Sequence, residues 1–312
     1  MWSAPRFRRL GFAAAGALTA AALGACATSP PTVAASSGGR GTLYVAASTN
    51  AWGSILEQLG GSHVRAVSLI TSPDTDPHDY EPTPADGRVI ASARLFVENG
   101  VGYDSWAAKA VAANPDPHRV VLDVGALVGV AKGGNPHRWY SPGDVEKVVD
   151  QITSDLKRLD PADAAYFAGR RTAFETTALA GYHRVISRIR SRYAGVKVGA
   201  SESIFSPMAQ ALGLDLLTPP SFLSAVSEGT DPSAADKATV DAQIRTRTIR
   251  VYVFNSQNAT PDVAAQVAAA RAAAIPVSTV TETLSPKGAS FQDWQTSQLT
   301  RLERALAKAT GR

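Results

Sequence analysis

A chain of 312 residues with 31 basic and 27 acidic side chains carries a net charge of only +4, and Arg6, Arg8 and Arg9 near its start account for most of it. The remainder is near neutral, so a sequence pI of about 9.2 argues neither for nucleic acid nor for an acidic substrate. Cys26 is the only cysteine, which excludes an intramolecular disulfide, a CxxC redox pair and a thiolate metal cluster. A chain of this length buries enough surface to fold without such cross-links.

The first residues read as an export signal. Behind the arginines runs an apolar stretch from Leu10 to Leu23, and the small residues Gly24 and Ala25 follow it. The stretch is shorter than the roughly 20 apolar residues of a spanning helix and has the layout of a secretory signal. Leu23-Gly24-Ala25-Cys26 resembles the bacterial lipobox, which implies a signal peptide over residues 1–25 and a lipidated Cys26. Arg8-Arg9 leaves general secretion and twin-arginine export both open. Residues 26–40 are small, polar and rich in Pro, Gly and Ser. They read as a flexible tether, holding the rest at the outer face of the cytoplasmic membrane.

From Thr42 onward short apolar runs alternate with longer amphipathic ones. Strands are expected at Leu43–Ala47, Val64–Leu69, Leu95–Glu98, Val120–Asp123, Val196–Ala200, Leu214–Leu217, Val251–Phe254 and Val277–Val280. Helical segments such as Trp52–Leu59, Tyr103–Ala113, Ala238–Arg247, Pro261–Ala273 and Phe291–Lys308 lie between or after them. This alternation predicts an α/β fold with mainly parallel sheets flanked by helices. It breaks once, between Pro142 and Tyr193, where the composition is purely helical. Asp160-Pro161 is a start signal inside that stretch. A helix from Pro161 to about Arg192, at roughly 1.5 Å per residue, would exceed about 40 Å. The expected organisation is two lobes, 41–160 and 194–312, joined by a long rigid backbone helix over 161–193. No internal repeat is visible at the residue level.

No nucleotide-binding Gly-rich loop, nucleophile elbow or HExxH motif is present. Attention falls instead on polar residues that follow the expected strands, where open α/β sheets bind ligands. His78 lies in SPDTDPHDYEPTP after the second strand, between prolines that stiffen the loop. On that loop alone it reads first as an exposed turn residue. His137 lies in GGNPHRWY after the fourth strand, with Trp139 and Tyr140 placed to shield it. The other histidines read as a turn residue (His63), a surface-loop residue (His118) and part of a solvated helix face (His183). The second lobe contains no histidine, so oxygen donors must serve there. Glu202 follows the strand Val196–Ala200, and Glu282 follows Val277–Val280. Each also has an ordinary reading, the first as an acid favoured near a helix N-terminus and the second as a solvated loop acid.

DPHDYEPTP, NPHRW and the two carboxylates, in this order and on these elements, resemble the metal-binding solute-binding lipoproteins of ABC transporters that serve manganese, zinc and iron. The resemblance covers nearly all of the chain after the signal. It implies a non-enzymatic, monomeric receptor in which His78, His137, Glu202 and Glu282 meet in an interlobe cleft around one divalent metal, for delivery to a membrane permease. The chain departs from zinc members in two places and from the family at large in a third. Glu202 stands where they often have a histidine; Leu127–Asn135 lacks their His- and acid-rich loop; and Ser141 stands where an acid often precedes the proline. Two imidazoles with two carboxylates form a mixed N/O set, and bidentate carboxylates would raise the coordination number toward that of Mn²⁺. Mn²⁺ is therefore favoured, with Zn²⁺ close behind and Fe²⁺ admissible. The rival readings are a metal-dependent hydrolase using the same residues, which would need an open metal position and a general base, and a receptor for a metal chelate such as a siderophore.

Overall fold

The computed structural model describes residues 42–312 except Asp76, His78 and Asp79. The signal, Cys26 and the tether lie outside the described residues. Among the described residues, eight strands form two four-stranded sheets. β1 (Leu43–Thr49), β2 (Val64–Ile70), β3 (Leu95–Glu98) and β4 (Val120–Asp123) build the first, in the order β2-β1-β3-β4. β5 (Lys197–Ala200), β6 (Asp215–Leu216), β7 (Val251–Asn255) and β8 (Val277–Val280) build the second, in the order β6-β5-β7-β8.

All pairings are parallel, with Leu43 opposite Val64, Val45 opposite Leu95 and Leu95 opposite Val120 in one sheet. In the other, Val198 faces both Leu216 and Val251, and Tyr252 faces Val277. The two sheets repeat one strand order that the sequence does not betray, because topology needs only an apolar pattern and not identical residues. Parallel strands are covered on both faces, which is why their cores read as unbroken apolar runs; all four residues of β3 are buried. In each sheet the order reverses beside the first strand, and the crevice outside the strand C-termini at such a point is where ligands bind.

Helices α1 (Asn50–Gly60), α2 (Pro84–Ser92) and α3 (Ser105–Ala113) fill the three crossovers of the first sheet, and α4 (Val124–Val128) follows its last strand. Thr83, Pro84 and Asp86 form a capping box that starts α2 just beyond the Pro-rich loop. α5 (Pro142–Leu159) begins with Pro142 at its first turn and buries Val145, Val148, Val149, Ile152 and Leu156 along one stripe. α6 (Ala164–Ala173) and α7 (Ala180–Tyr193) follow. The second sheet carries α8 (Ser206–Leu212), α9 (Pro220–Ser227), α10 (Ala234–Arg245), α11 (Pro261–Ala272) and the C-terminal α12 (Phe291–Thr310).

The segment expected as one helix from Pro161 is segmented. It opens with a 3₁₀ turn at Pro161–Asp163 and carries a π turn at Phe174–Ala178, where Leu179 N–H donates to the Phe174 carbonyl at 2.8 Å. The apolar spacing explains the extra residue. Phe167 and Phe174 are seven apart and buried, as a 3.6-residue helix requires, but the next buried residue is Leu179, five further on, followed by Tyr182, Val185 and Ile189. The π turn absorbs the phase slip and keeps one apolar face against the protein. α6 packs on α5 and α1, and α7 packs on α12 and α8. One buried cluster consequently runs from Val45 and Leu95 of the first sheet through Phe167, Tyr182 and Ile189 to Val198 and Val251 of the second. Among the described residues, no helix is long and apolar enough to cross a membrane.

Candidate metal centre

β5 ends at Ala200, and the chain leaves it extended, with Glu202 at φ −161° before a 3₁₀ turn. This directs a carboxylate that is only 1 % exposed away from the strand end. Burying an ionised carboxylate is costly unless hydrogen bonds or a counter-charge replace water. Here two amides do so: Asn255 Nδ2 donates to Glu202 Oε1 and Asn258 Nδ2 to Oε2, each at 2.7 Å. Asn255 is the last residue of β7 and fully buried. Its Nδ2 also donates to Glu282 Oε1 at 3.0 Å, so one amide bridges the two acids.

Glu282, just beyond β8, is fixed at both ends. Its Oε2 accepts from Tyr103 Oη at 2.8 Å, and its backbone N–H donates to Gln257 Oε1 at 2.6 Å. Tyr103 follows β3, so a residue from beside the first sheet orients a carboxylate of the second. Gln257 also donates through Nε2 to the Pro73 carbonyl at 2.7 Å, tying the Glu282 loop to the Pro-rich loop.

His137 is 1 % exposed. Asn135 Nδ2 donates to the Ser203 carbonyl at 2.7 Å, which orients Asn135 Oδ1 as the acceptor toward His137. That oxygen lies 3.0 Å from both the backbone N and Nδ1 of His137. In the neutral ring the proton therefore sits on Nδ1, and Nε2 carries the lone pair, the usual arrangement of a ligating histidine. Trp139 packs edge-on against the imidazole at 5.4 Å, and Tyr103 at 5.9 Å. Tyr140, also 1 % exposed, donates to the Thr281 carbonyl at 2.8 Å, one residue before Glu282. Burial, and secondarily the Glu282 and Glu202 charges, push its phenol pKa up.

The result is convergence across the two sheets: one ligand atom each from His137, Glu202 and Glu282 lies within 4.8 Å of the others. Of the four metal-facing residues expected from sequence, these three are brought together, and His78 lies outside the described residues. The loop on either side of it is described. Pro73, Asp74, Glu228, Asn258 and Glu282 line one open cavity of about 620 Å³. The remaining histidines lie elsewhere. His63 Nδ1 is 2.6 Å from Asp163 Oδ2 and its ring stacks on Tyr166, a link between the first sheet and the joining helices. His118 is exposed, and His183 lies near Glu175.

Sequence reading missed Asn135, Tyr103, Asn255, Gln257 and Asn258. A signal existed for Asn255, which ends a strand as Glu202 follows one. Amides and phenols are common in loops, however, and only their approach to the carboxylates distinguishes them.

These features define a two-sheet α/β binding protein with a buried, metal-competent centre at the strand C-termini. Residues 45–305 match the family described as zinc-uptake complex component A periplasmic, ZnuA, and the chain belongs to that family. It is 30 % identical over 137 residues to the manganese-binding lipoprotein MntA of Halalkalibacterium halodurans, covering 42 % of this chain and 45 % of that one. It is 25 % identical over 207 residues to the high-affinity zinc uptake system protein ZnuA of Bacillus subtilis, covering 60 % and 63 %. The matched stretch thus spans about half of these curated relatives. The fold is shared with the Mn-bound periplasmic metal binding protein of Candidatus Liberibacter asiaticus, at a TM-score of 0.70 and 19 % identity over 84 % of this chain and 98 % of that one.

Proposed function

We propose that this protein is a lipid-anchored extracytoplasmic receptor that captures a divalent transition metal and delivers it to an ABC-type permease, without chemistry of its own. The observation that carries this is the meeting of His137 from the first sheet with Glu202 and Glu282 from the second. His78, expected to be the fourth ligand, would complete a His₂Glu₂ set.

The donor chemistry suits a dication held as cargo. A buried carboxylate (Glu202) and a half-buried one (Glu282) are supported by neutral amides and a phenol, and a divalent ion would neutralise them where water is largely excluded. Asn255, Asn258, Tyr103 and Asn135 act on the ligands and not on the metal, fixing carboxylate orientation and imidazole tautomer. The cavity beside Glu282 offers a route in past Asp74 and Glu228, whose charges attract cations. Metal affinity falls on acidification, because protons compete for imidazole and carboxylate. Two carboxylates favour Mn²⁺, whereas intrinsic affinity favours Zn²⁺ in any such site; we assign Mn²⁺ as the cargo, with Zn²⁺ as its competitor. Anchoring through Cys26, a monomeric state and a permease partner belong to the same reading.

The test is elemental analysis of protein purified without added metal, followed by competition between Mn²⁺ and Zn²⁺. One equivalent of bound transition metal that is lost in His137→Ala supports the receptor. Protein that binds neither ion contradicts it.

A further inference from the structure

A second group of metal-capable side chains sits on the joining helices, remote in sequence from Glu202 and Glu282. Glu146 stands on α5, Glu175 in the π turn and His183 on α7, and one ligand atom of each lies within 4.8 Å of the others. Metal–ligand bonds of about 2.1 Å place two ligands no more than about 4 Å apart, so modest side-chain rotation closes the set. Rotation is available. Glu146 is exposed, and the side chains of His183 and Glu175 are 36 % and 25 % exposed.

The ordinary reading is an ion pair between His183 Nδ1 and Glu175 Oε1, 3.8 Å apart and so without a hydrogen bond. Two further polar atoms are shut away from water with no hydrogen-bond partner among the described residues: Glu175 Oε2 and the hydroxyl of Tyr182. Tyr182 is 1 % exposed and immediately precedes His183, with the two rings 5.6 Å apart. Buried polar atoms without partners are rare in native proteins and call for a missing one. The π turn that carries Glu175 is itself a rare feature, concentrated at functional positions.

We propose that Glu146, Glu175 and His183 form a second divalent transition-metal site. One imidazole and two carboxylates with a position left for water suit Zn²⁺ or a similar ion. Such an ion fastens α5, which follows the first sheet, to the joining helices, and so stiffens the link between the sheets. The site is more open than the interlobe centre and binds more weakly.

Equilibrium dialysis of the untagged full chain against Zn²⁺, with melting temperature as a second readout, tests this. Wild type is expected to bind two equivalents, and His183→Ala and Glu175→Gln one each, with the apo fold retained because both side chains are part exposed. A single equivalent in wild type, or two in both His183→Ala and Glu175→Gln, overturns the proposal. Glu202→Ala probes the interlobe centre separately: it should abolish the tighter step and spare the weaker one, so either site can fail without the other.

Discussion

Substitution of Glu202 by Ala removes a carboxylate that is 1 % exposed and accepts two amide hydrogen bonds at 2.7 Å. Its effects on the empty and loaded protein should differ sharply. In the empty protein the change relieves a buried charge next to Glu282 but leaves Asn255 and Asn258 with unmet donors. These effects oppose each other, and the net change is expected within about 2 kcal/mol. In the loaded protein it removes a charged ligand outright. Free metal at 1,000 times Kd stabilises the native state by about 4.1 kcal/mol, or roughly 12 °C at ~3 °C per kcal/mol for a domain of this size. Loss of an outer-sphere partner already weakens metal sites by up to about 100-fold, so loss of the ligand itself should do at least that. The same metal concentration then stabilises by no more than about 1.4 kcal/mol, or roughly 4 °C. The assay is thermal unfolding with and without Mn²⁺, each variant referred to its own apo value. His63→Ala and His118→Ala should retain the full shift. If Glu202→Ala and Glu282→Ala both retain it, the second sheet contributes nothing to the metal and the interlobe receptor is refuted.

Asn255→Ala leaves all ligands in place but removes the amide that bridges both carboxylates; metal affinity by competitive titration should fall about 10- to 100-fold, and an unchanged Kd would show that the bridge plays no part. Glu98, 8 % exposed with Oε2 lacking a partner among the described residues, has its pKa raised to about 7 by burial first and by Asp104 and Asp123 second. The folded protein therefore holds this proton more tightly than the unfolded chain, and stability is lost as pH rises from about 4.5 toward 7. Glu98→Gln should leave denaturant stability unchanged near pH 4 and raise it at pH 8 by up to about 3 kcal/mol; equal effects at both pH values would contradict this origin. Because one buried cluster joins both sheets through the helices between them, small-angle scattering curves of apo and metal-loaded protein should nearly superimpose, and a contraction typical of hinge closure would tell against a stiff link. Cys26→Ala should leave the precursor unlipidated and unprocessed, so undiminished membrane partitioning of that variant would place the anchor elsewhere.

Much of this protein was legible along the chain because the relevant physics is local. A buried parallel strand must be apolar over consecutive residues, so β3 stands where its sequence indicates, and the edge strands β4 and β8 also keep their expected bounds. Glu202 and Glu282 stood out by following strands in a stretch, residues 194–312, that has no histidine. The approach of His137, Glu202 and Glu282 could only be supplied by the fold, since crossovers bring together loops far apart in sequence. The same holds for the groups that orient them. Tyr103 reaches Glu282 from the other sheet, and one Asn255 amide serves two acids; neither residue type announces this, because hydrogen bonds depend on approach and angle and leave no periodic trace. The break in the joining helix was also hidden. Its composition is helical throughout, and only the need to keep Phe174 and Leu179 on one buried face forces the extra residue. His183 read as part of a solvated face until packing set it beside Glu175, Glu146 and a buried phenol. Sequence determines which side chains are available and where strands deliver them, while tertiary packing decides which come within a bond's length of one another.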